Sequence, residues 1–124
     1  MNTRANRRDL AVDLCARSSC WTKMAAVLTD RHGVISWGWN HPGPEGFGTH
    51  AEEHALNRAN RRRVPGSTIT VAGLRRGAAR SKARRYVLSR PCEARCLPLL
   101  RKAGVRTVEF IRADGMWAVF RLHD

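Results

Sequence analysis

The sequence predicts an α/β fold, a mixed five-stranded sheet covered by helices. Three observations point there. Apolar runs of strand length alternate with stretches whose apolar residues recur every three or four positions. Gly and Pro cluster between them. The resulting element order is α-ββ-α-β-α-ββ, which suits a sheet layered with helices. The chain has 124 residues, a length that suits a single domain, 1–124, with one core.

Residues 5–16 carry Leu10, Leu14 and Cys15 at helical spacing, so a first amphipathic helix is expected there. Met24–Thr29 and Val34–Trp39 are apolar runs joined by Asp30-Arg31-His32-Gly33, which reads as a β-hairpin. The Gly- and Pro-dense stretch His41–Gly48 is a loop. Thr49 can cap a second helix over His50–Arg62, where Ala51, Ala55 and Ala59 recur every four residues, and Pro65-Gly66 stops it. Thr68–Leu74 is a strand, residues 75–85 a basic connector, and Tyr86–Ser89 a further short strand. A third helix falls within 92–103 and ends at Gly104. Val105–Arg112 and Met116–Leu122 are strands, and the Asp114-Gly115 pair between them predicts a tight antiparallel hairpin.

The net charge is +13 and the pI near 11.4. Such a field attracts polyanions, so nucleic acid is the first macromolecular partner to consider. Lysine occurs only at positions 23, 82 and 102. Arginine-favouring codons explain that skew but not the scarcity of acids. No apolar run approaches the length of a membrane span, and Met1–Asp13 lacks the apolar core of a secretory signal. The arginines in Thr3–Arg8 suit a transit-like segment, but Asp9 and Asp13 count against it. A cytoplasmic location is expected. Four cysteines in such a chain point to metal ligands or buried thiols rather than disulfides.

The chemistry concentrates in His50-Ala51-Glu52 and, 40 residues after Glu52, in Pro91-Cys92-Glu93-Ala94-Arg95-Cys96. One His and two Cys make a three-ligand zinc site that keeps a fourth position for water. Zinc lowers the pKa of bound water to about 7, and a nearby carboxylate that is not a ligand can then move its proton. His50 and Glu52 point in different directions on a helix, which suits that division: His50, Cys92 and Cys96 on the metal, Glu52 over the substrate.

These motifs resemble the cytidine/deoxycytidylate deaminase superfamily, whose signature is H-x-E followed by P-C-x-x-C. The resemblance runs from about Ser19 to Leu122. It includes Ser19-Cys20, the Trp-Gly-Trp-Asn segment ending at Asn40, His50–Leu56, Ser89–Cys92 and the strand after Gly104. It implies a three-layer α/β/α fold with helices on both sheet faces, a zinc cofactor, and hydrolysis of cytosine to uracil and ammonia. It also implies that Asn40 contacts the sugar and that the backbone around Ala25–Ala26 and Ala51 lines the base pocket. Phe47 and His41, in the loop before the active-site helix, are expected at the pocket wall, and Ser89 is a further candidate substrate contact. Dimers or tetramers are common in the superfamily.

Two departures from the pattern stand out. Three residues, not two, separate Cys92 from Cys96, which on a regular helix swings the second thiolate by about 100°. Pro98 is welcome in a first helical turn, so the third helix is expected to begin near Cys96 after an irregular stretch. The segment between Glu52 and Pro91 is also long, its excess being the basic run Arg75–Arg85, which serves either as a solvated connector or as a phosphate track.

The blander readings are specific too. Trp37 and Trp39 share one strand face and suit core packing, with base stacking as the alternative that makes Trp39 a substrate contact. His54 reads as structural. Cys15 and Cys20 read as buried thiols; joined to Cys92 and Cys96 they would instead make a four-cysteine structural zinc site in a non-catalytic basic module. From charge, cytosine in single-stranded nucleic acid, DNA first, is the preferred substrate. Free cytidine or deoxycytidine nucleosides or nucleotides come second. Adenosine in tRNA comes third, because Gly38–Pro42 resembles tRNA adenosine deaminases.

Overall fold

The computed structural model describes residues 3–43, 48–75 and 85–122. Helix α1 (Thr3–Leu14) runs into a short 3-10 turn, followed by β1 (Thr22–Asp30), β2 (Gly33–Trp39), α2 (Ala51–Arg58), β3 (Thr68–Arg75), α3 (Cys96–Ala103), β4 (Thr107–Ile111) and β5 (Trp117–Arg121). The strands form one sheet in the order β2-β1-β3-β4-β5. Only β3 and β4 are parallel, and α3 lies in the crossover between them. The other three pairings are antiparallel, so the sheet is mixed as expected.

Strand alternation divides the core. Ala26 and Leu28 of β1, Ile69 and Val71 of β3, and Val108 and Phe110 of β4 pack with Ala51, Ala55 and Leu56 of α2 and Leu97 and Leu100 of α3. The intervening residues Ala25, Val27, Ala72 and Ile111 pack with Ala11, Leu14 and Cys15 at the α1 end of the chain. Burial on both faces explains why β1 and β3 read as continuous apolar runs rather than as alternating ones. No helix of the described residues is long and apolar enough to cross a membrane.

Three sequence expectations need correction. Helix α2 begins one residue later than expected, with His50 rather than Thr49 as its N-cap. Thr49 instead exchanges backbone hydrogen bonds with His41, closing the loop between them. The helix also stops at Arg58, not Arg62. Asn60 accepts the Arg62 N–H on its side chain at 3.1 Å, a local turn that competes with helix continuation. Tyr86–Ser89 is not a strand: it makes a single bridge, Leu74 with Tyr86. Val87 donates to Gly73 and Ser89 to Ile111, so the segment wedges between the ends of β3 and β4. Of the basic connector, residues 76–84 lie outside the described residues.

Gly38 sits where α2 crosses β2. A Cβ there would meet Ala55 N at 2.5 Å, His54 Cβ at 2.8 Å and Ala51 O at 2.9 Å. Backbone cannot yield as a side chain can, so Gly38→Ala should lower the unfolding free energy by about 1–3 kcal/mol, read as a lower urea midpoint at unchanged slope. The same approach lets α2 seal the free edge of β2. Trp39 donates its N–H to His54 Nδ1 at 3.1 Å, and the Arg58 guanidinium lies 4.9 Å from the Trp37 ring and 5.7 Å from Trp39. Trp39 packs against the α1-side core as expected, whereas Trp37, 37% exposed, is an edge residue under arginine rather than interior core.

Candidate active site

Two helix starts build the site. His50 ends the loop after β2 and opens α2; Cys92 precedes α3 and Cys96 opens it. His50 Nδ1 lies 3.1 Å from Cys96 Sγ and 3.8 Å from Cys92 Sγ, and the three donor atoms all fall within 4.8 Å of one another. Donors tetrahedrally arranged at zinc bond lengths stand about 3.5–3.8 Å apart. One nitrogen and two sulfurs at this spacing fit a zinc ion, and it is the one such cluster among the described residues. Cys15 is buried against α1 and its Sγ donates to Ala11 O at 3.4 Å, so the four-cysteine alternative has no geometry behind it.

The spacing of the cysteines resolves as Pro98 suggested. The chain from Cys92 to Arg95 is a turn, and α3 begins at Cys96. The N–H groups of Cys96 and Leu97 both donate to Cys92 O, at 3.1 and 2.9 Å, and the Cys96 N–H also points at Cys92 Sγ at 3.3 Å. The extra residue is absorbed before the helix. Gly104, at φ +90°, then ends the helix in the left-handed conformation.

Glu52 lies in the first turn of α2 and is 6% exposed. Burial pushes its carboxyl above the usual range, opposed by its own backbone N–H and by Cys96. Burial also raises the Cys96 thiol, and the neighbouring Glu52 charge adds to the effect. A divalent cation on the sulfur reverses that tendency, since a coordinating thiol is deprotonated outright.

A cleft of about 310 Å³ opens beside His50, lined also by Cys20, Asn40, His41, Pro42, Gly43, Gly48 and Thr49. Asn40 and His41 both line this cleft. The Asn40 Oδ1 accepts from Ser18 Oγ at 2.5 Å and from the Met24 N–H at 2.9 Å, while Nδ2 donates to Thr22 O at 2.8 Å. One amide hydrogen is left for a ligand. Trp39 packs at the neighbouring edge, its ring 5.5 Å from that of His41. Ala26 and Ala51 meet in one cluster but are buried to 0% and 1% exposure. Ser89 is buried as well, with its hydroxyl donating to Val87 O at 2.8 Å. Phe47 lies outside the described residues.

Sequence reasoning missed three side chains at the site. Glu53 accepts the His50 N–H at 2.9 Å, half of a capping box, and its place three residues after the cap was the available signal. Arg95 reaches Glu53 at 2.7 Å and Gly48 O at 2.9 Å, and nothing in its sequence context marked it. His54, read as merely structural, touches the cleft wall: its Nδ1 lies 3.2 Å from His41 Nε2. Burial lowers the His54 pKa, with the His41 and Arg58 charges adding to it, so the ring is held neutral as an acceptor.

Comparison with known proteins agrees with this geometry. The family model described as the cytidine and deoxycytidylate deaminase zinc-binding region matches residues 2–112. No curated protein matches the chain by sequence. Among solved structures, cytidine deaminase from Burkholderia pseudomallei superposes at a TM-score of 0.69 and 22% identity, covering 98% of this chain and 93% of that one. The dCMP deaminase of cyanophage S-TIM5 gives 0.67 at 21% identity, over 91% and 86%. Acinetobacter baumannii RibD gives 0.63 at 21% identity, over 89% of this chain but only 28% of that longer one. At these identities the superpositions establish the fold, which is that of the deaminases. The match over residues 2–112 establishes more: the chain belongs to the cytidine and deoxycytidylate deaminase family of zinc-dependent enzymes.

Proposed function

We propose that the chain, as one deaminase domain, hydrolyses the 4-amino group of cytosine in a free (deoxy)cytidine nucleoside or nucleotide, giving uracil and ammonia. The observation that carries this reading is the cleft beside His50. Its volume of about 310 Å³ falls at the small end of small-molecule sites. Its described lining contains no Lys or Arg.

His50, Cys92 and Cys96 would hold the zinc. When bound, zinc supplies an acidified water. Glu52 would carry two protons in turn: one taken from that water to ring N3, where it stays in the uracil, and a second taken from the hydroxyl added at C4 to the departing amine. Burial suits it to that task, because a carboxyl raised towards neutrality exchanges protons more readily at working pH. The free Asn40 amide hydrogen is placed for a sugar hydroxyl.

The preference reverses the one drawn from charge alone. A phosphate track needs cations that face the cleft, and among the described residues Arg95 is engaged on Glu53 and Gly48 and Arg58 over the indoles. The net charge of +13 still favours single-stranded nucleic acid as a second reading, and the half-exposed Trp37 offers a stacking surface for it. A location in the cytoplasm suits either substrate.

One assay with three substrates separates the readings. Zinc-loaded protein should convert deoxycytidine or dCMP and leave a cytosine-containing oligonucleotide untouched. Uracil formed in the oligonucleotide alone, with a rate that falls as salt rises, would establish the second reading instead.

A further inference from the structure

We infer that Arg95 is a positioning residue that ties together the two arms of the zinc site and makes the three-residue cysteine spacing workable. The inference rests on the zinc reading above.

Arg95 is the N-cap of α3, at φ −126° and ψ −55°, and its side chain makes no bond to its own helix. The guanidinium turns towards the other arm. There Nη2 lies 2.7 Å from Glu53 Oε1 as an ion pair and donates to Gly48 O at 2.9 Å. The same Glu53 oxygen accepts the His50 N–H at 2.9 Å. A continuous path therefore runs from the residue before Cys96, through one carboxylate oxygen, to the backbone of His50. A second branch holds Gly48, two residues before His50, so the approach to the ligand is fixed from both sides.

The turn before Cys96 closes on itself through Cys92 O, which sets where α3 starts, and the packing of Leu97 and Leu100 with Ala51, Ala55 and Leu56 holds the two helices together. Arg95 adds a direct tie between their ligand-bearing ends. Arg95 is the last of the three intervening residues and adjoins Cys96 directly. Arg95 and Glu53 side chains are 40% and 19% exposed. An ion pair that open to water adds little to fold stability. Its effect lies in geometry: it sets the separation of imidazole and thiolates before the metal arrives, and partners that orient ligands in this way typically change metal affinity by about 10–100-fold.

The test compares wild type with Arg95→Ala, Glu53→Ala, the double variant and His50→Ala. Zinc affinity is read by chelator competition and site geometry by the absorption spectrum of the cobalt-substituted protein; urea melts follow fold stability without metal. Arg95→Ala should bind zinc about tenfold more weakly, with a shifted cobalt spectrum and a nearly unchanged metal-free melt. Glu53→Ala should weaken zinc binding alike, with a somewhat lower metal-free melt because its capping bond to the His50 N–H is lost too, and the double variant should bind zinc no worse than either single one, because the path acts as a unit. Wild-type affinity and spectrum in Arg95→Ala would overturn the inference, as would additive losses in the double variant. Should Arg95→Ala fail to fold, Arg95→Lys and Glu53→Gln decide: both must weaken zinc binding, and wild-type affinity in both overturns it. If His50→Ala itself left zinc binding intact, the zinc reading would be what fails.

Discussion

Glu52→Gln should keep its zinc and its fold while kcat on the cytosine substrate falls by about 10²–10⁴-fold, the usual loss when a general acid–base group is removed. Gln preserves the shape of the side chain, and at 6% exposure shape matters, because a smaller residue would leave a hole beside Ala51 and Cys96. It cannot exchange a proton. KM should change far less than kcat, since the carboxyl acts in the transition state and the cleft residues that bind substrate are untouched. Steady-state kinetics and metal content on the same preparation check both halves. Near-normal turnover with full zinc would mean that some other group moves the proton.

The second large effect concerns the fold. Glu109 is completely buried in β4. Arg7 reaches it at 2.8 and 3.2 Å, Arg8 at 2.7 Å, and Thr70 Oγ1 at 3.0 Å. Burial alone would raise its pKa, but the hydrogen bonds from Arg7 and Arg8, the Arg7 charge and the Thr70 hydroxyl outweigh that and hold it below the usual value. Removing both arginines strands a buried carboxylate, so Arg7→Ala/Arg8→Ala should lose about 3–5 kcal/mol of unfolding free energy. The pH dependence gives a second readout. In the wild type the folded pKa of Glu109 is depressed, so its contribution is complete above the unfolded value of about 4.3 and is lost as pH falls through the folded value. In the double variant burial is unopposed, the folded pKa rises, and stability should instead fall as pH rises through that range. Urea midpoints across acid pH test this; a loss under about 1 kcal/mol, or matching slopes, would sink the account.

The strands and the zinc ligands were legible in the sequence because both rest on local signals. Apolar runs mark β1 and β3, Asp114-Gly115 marks the last hairpin, and the His-x-Glu and Pro-Cys motifs mark the ligands. Pro98 was enough to place the start of α3. What escaped was non-local or competitive. Asn60 ends α2 through a side-chain turn that four-residue alanine periodicity hides. Glu109, an acid inside the apolar strand Thr107–Ile111, was a visible anomaly, but its partners lie at the other end of the chain. Arg95 looked like one more arginine in a basic protein, and only its approach to Glu53 gives it a role. Net charge has the same limit: it counts arginines without saying which way they face.

Arg7 and Glu109 are 102 positions apart, and that separation has a consequence in time. A ribosome adding about 5–20 residues per second needs about 5–20 seconds to reach the acid after making the arginine. Meanwhile β1 and β2 can already pair through their short connection at Asp30 and Gly33. Helix α1 can therefore rest early on Ala25 and Val27 of β1, but its two arginines wait those seconds for the acid that locks them in place.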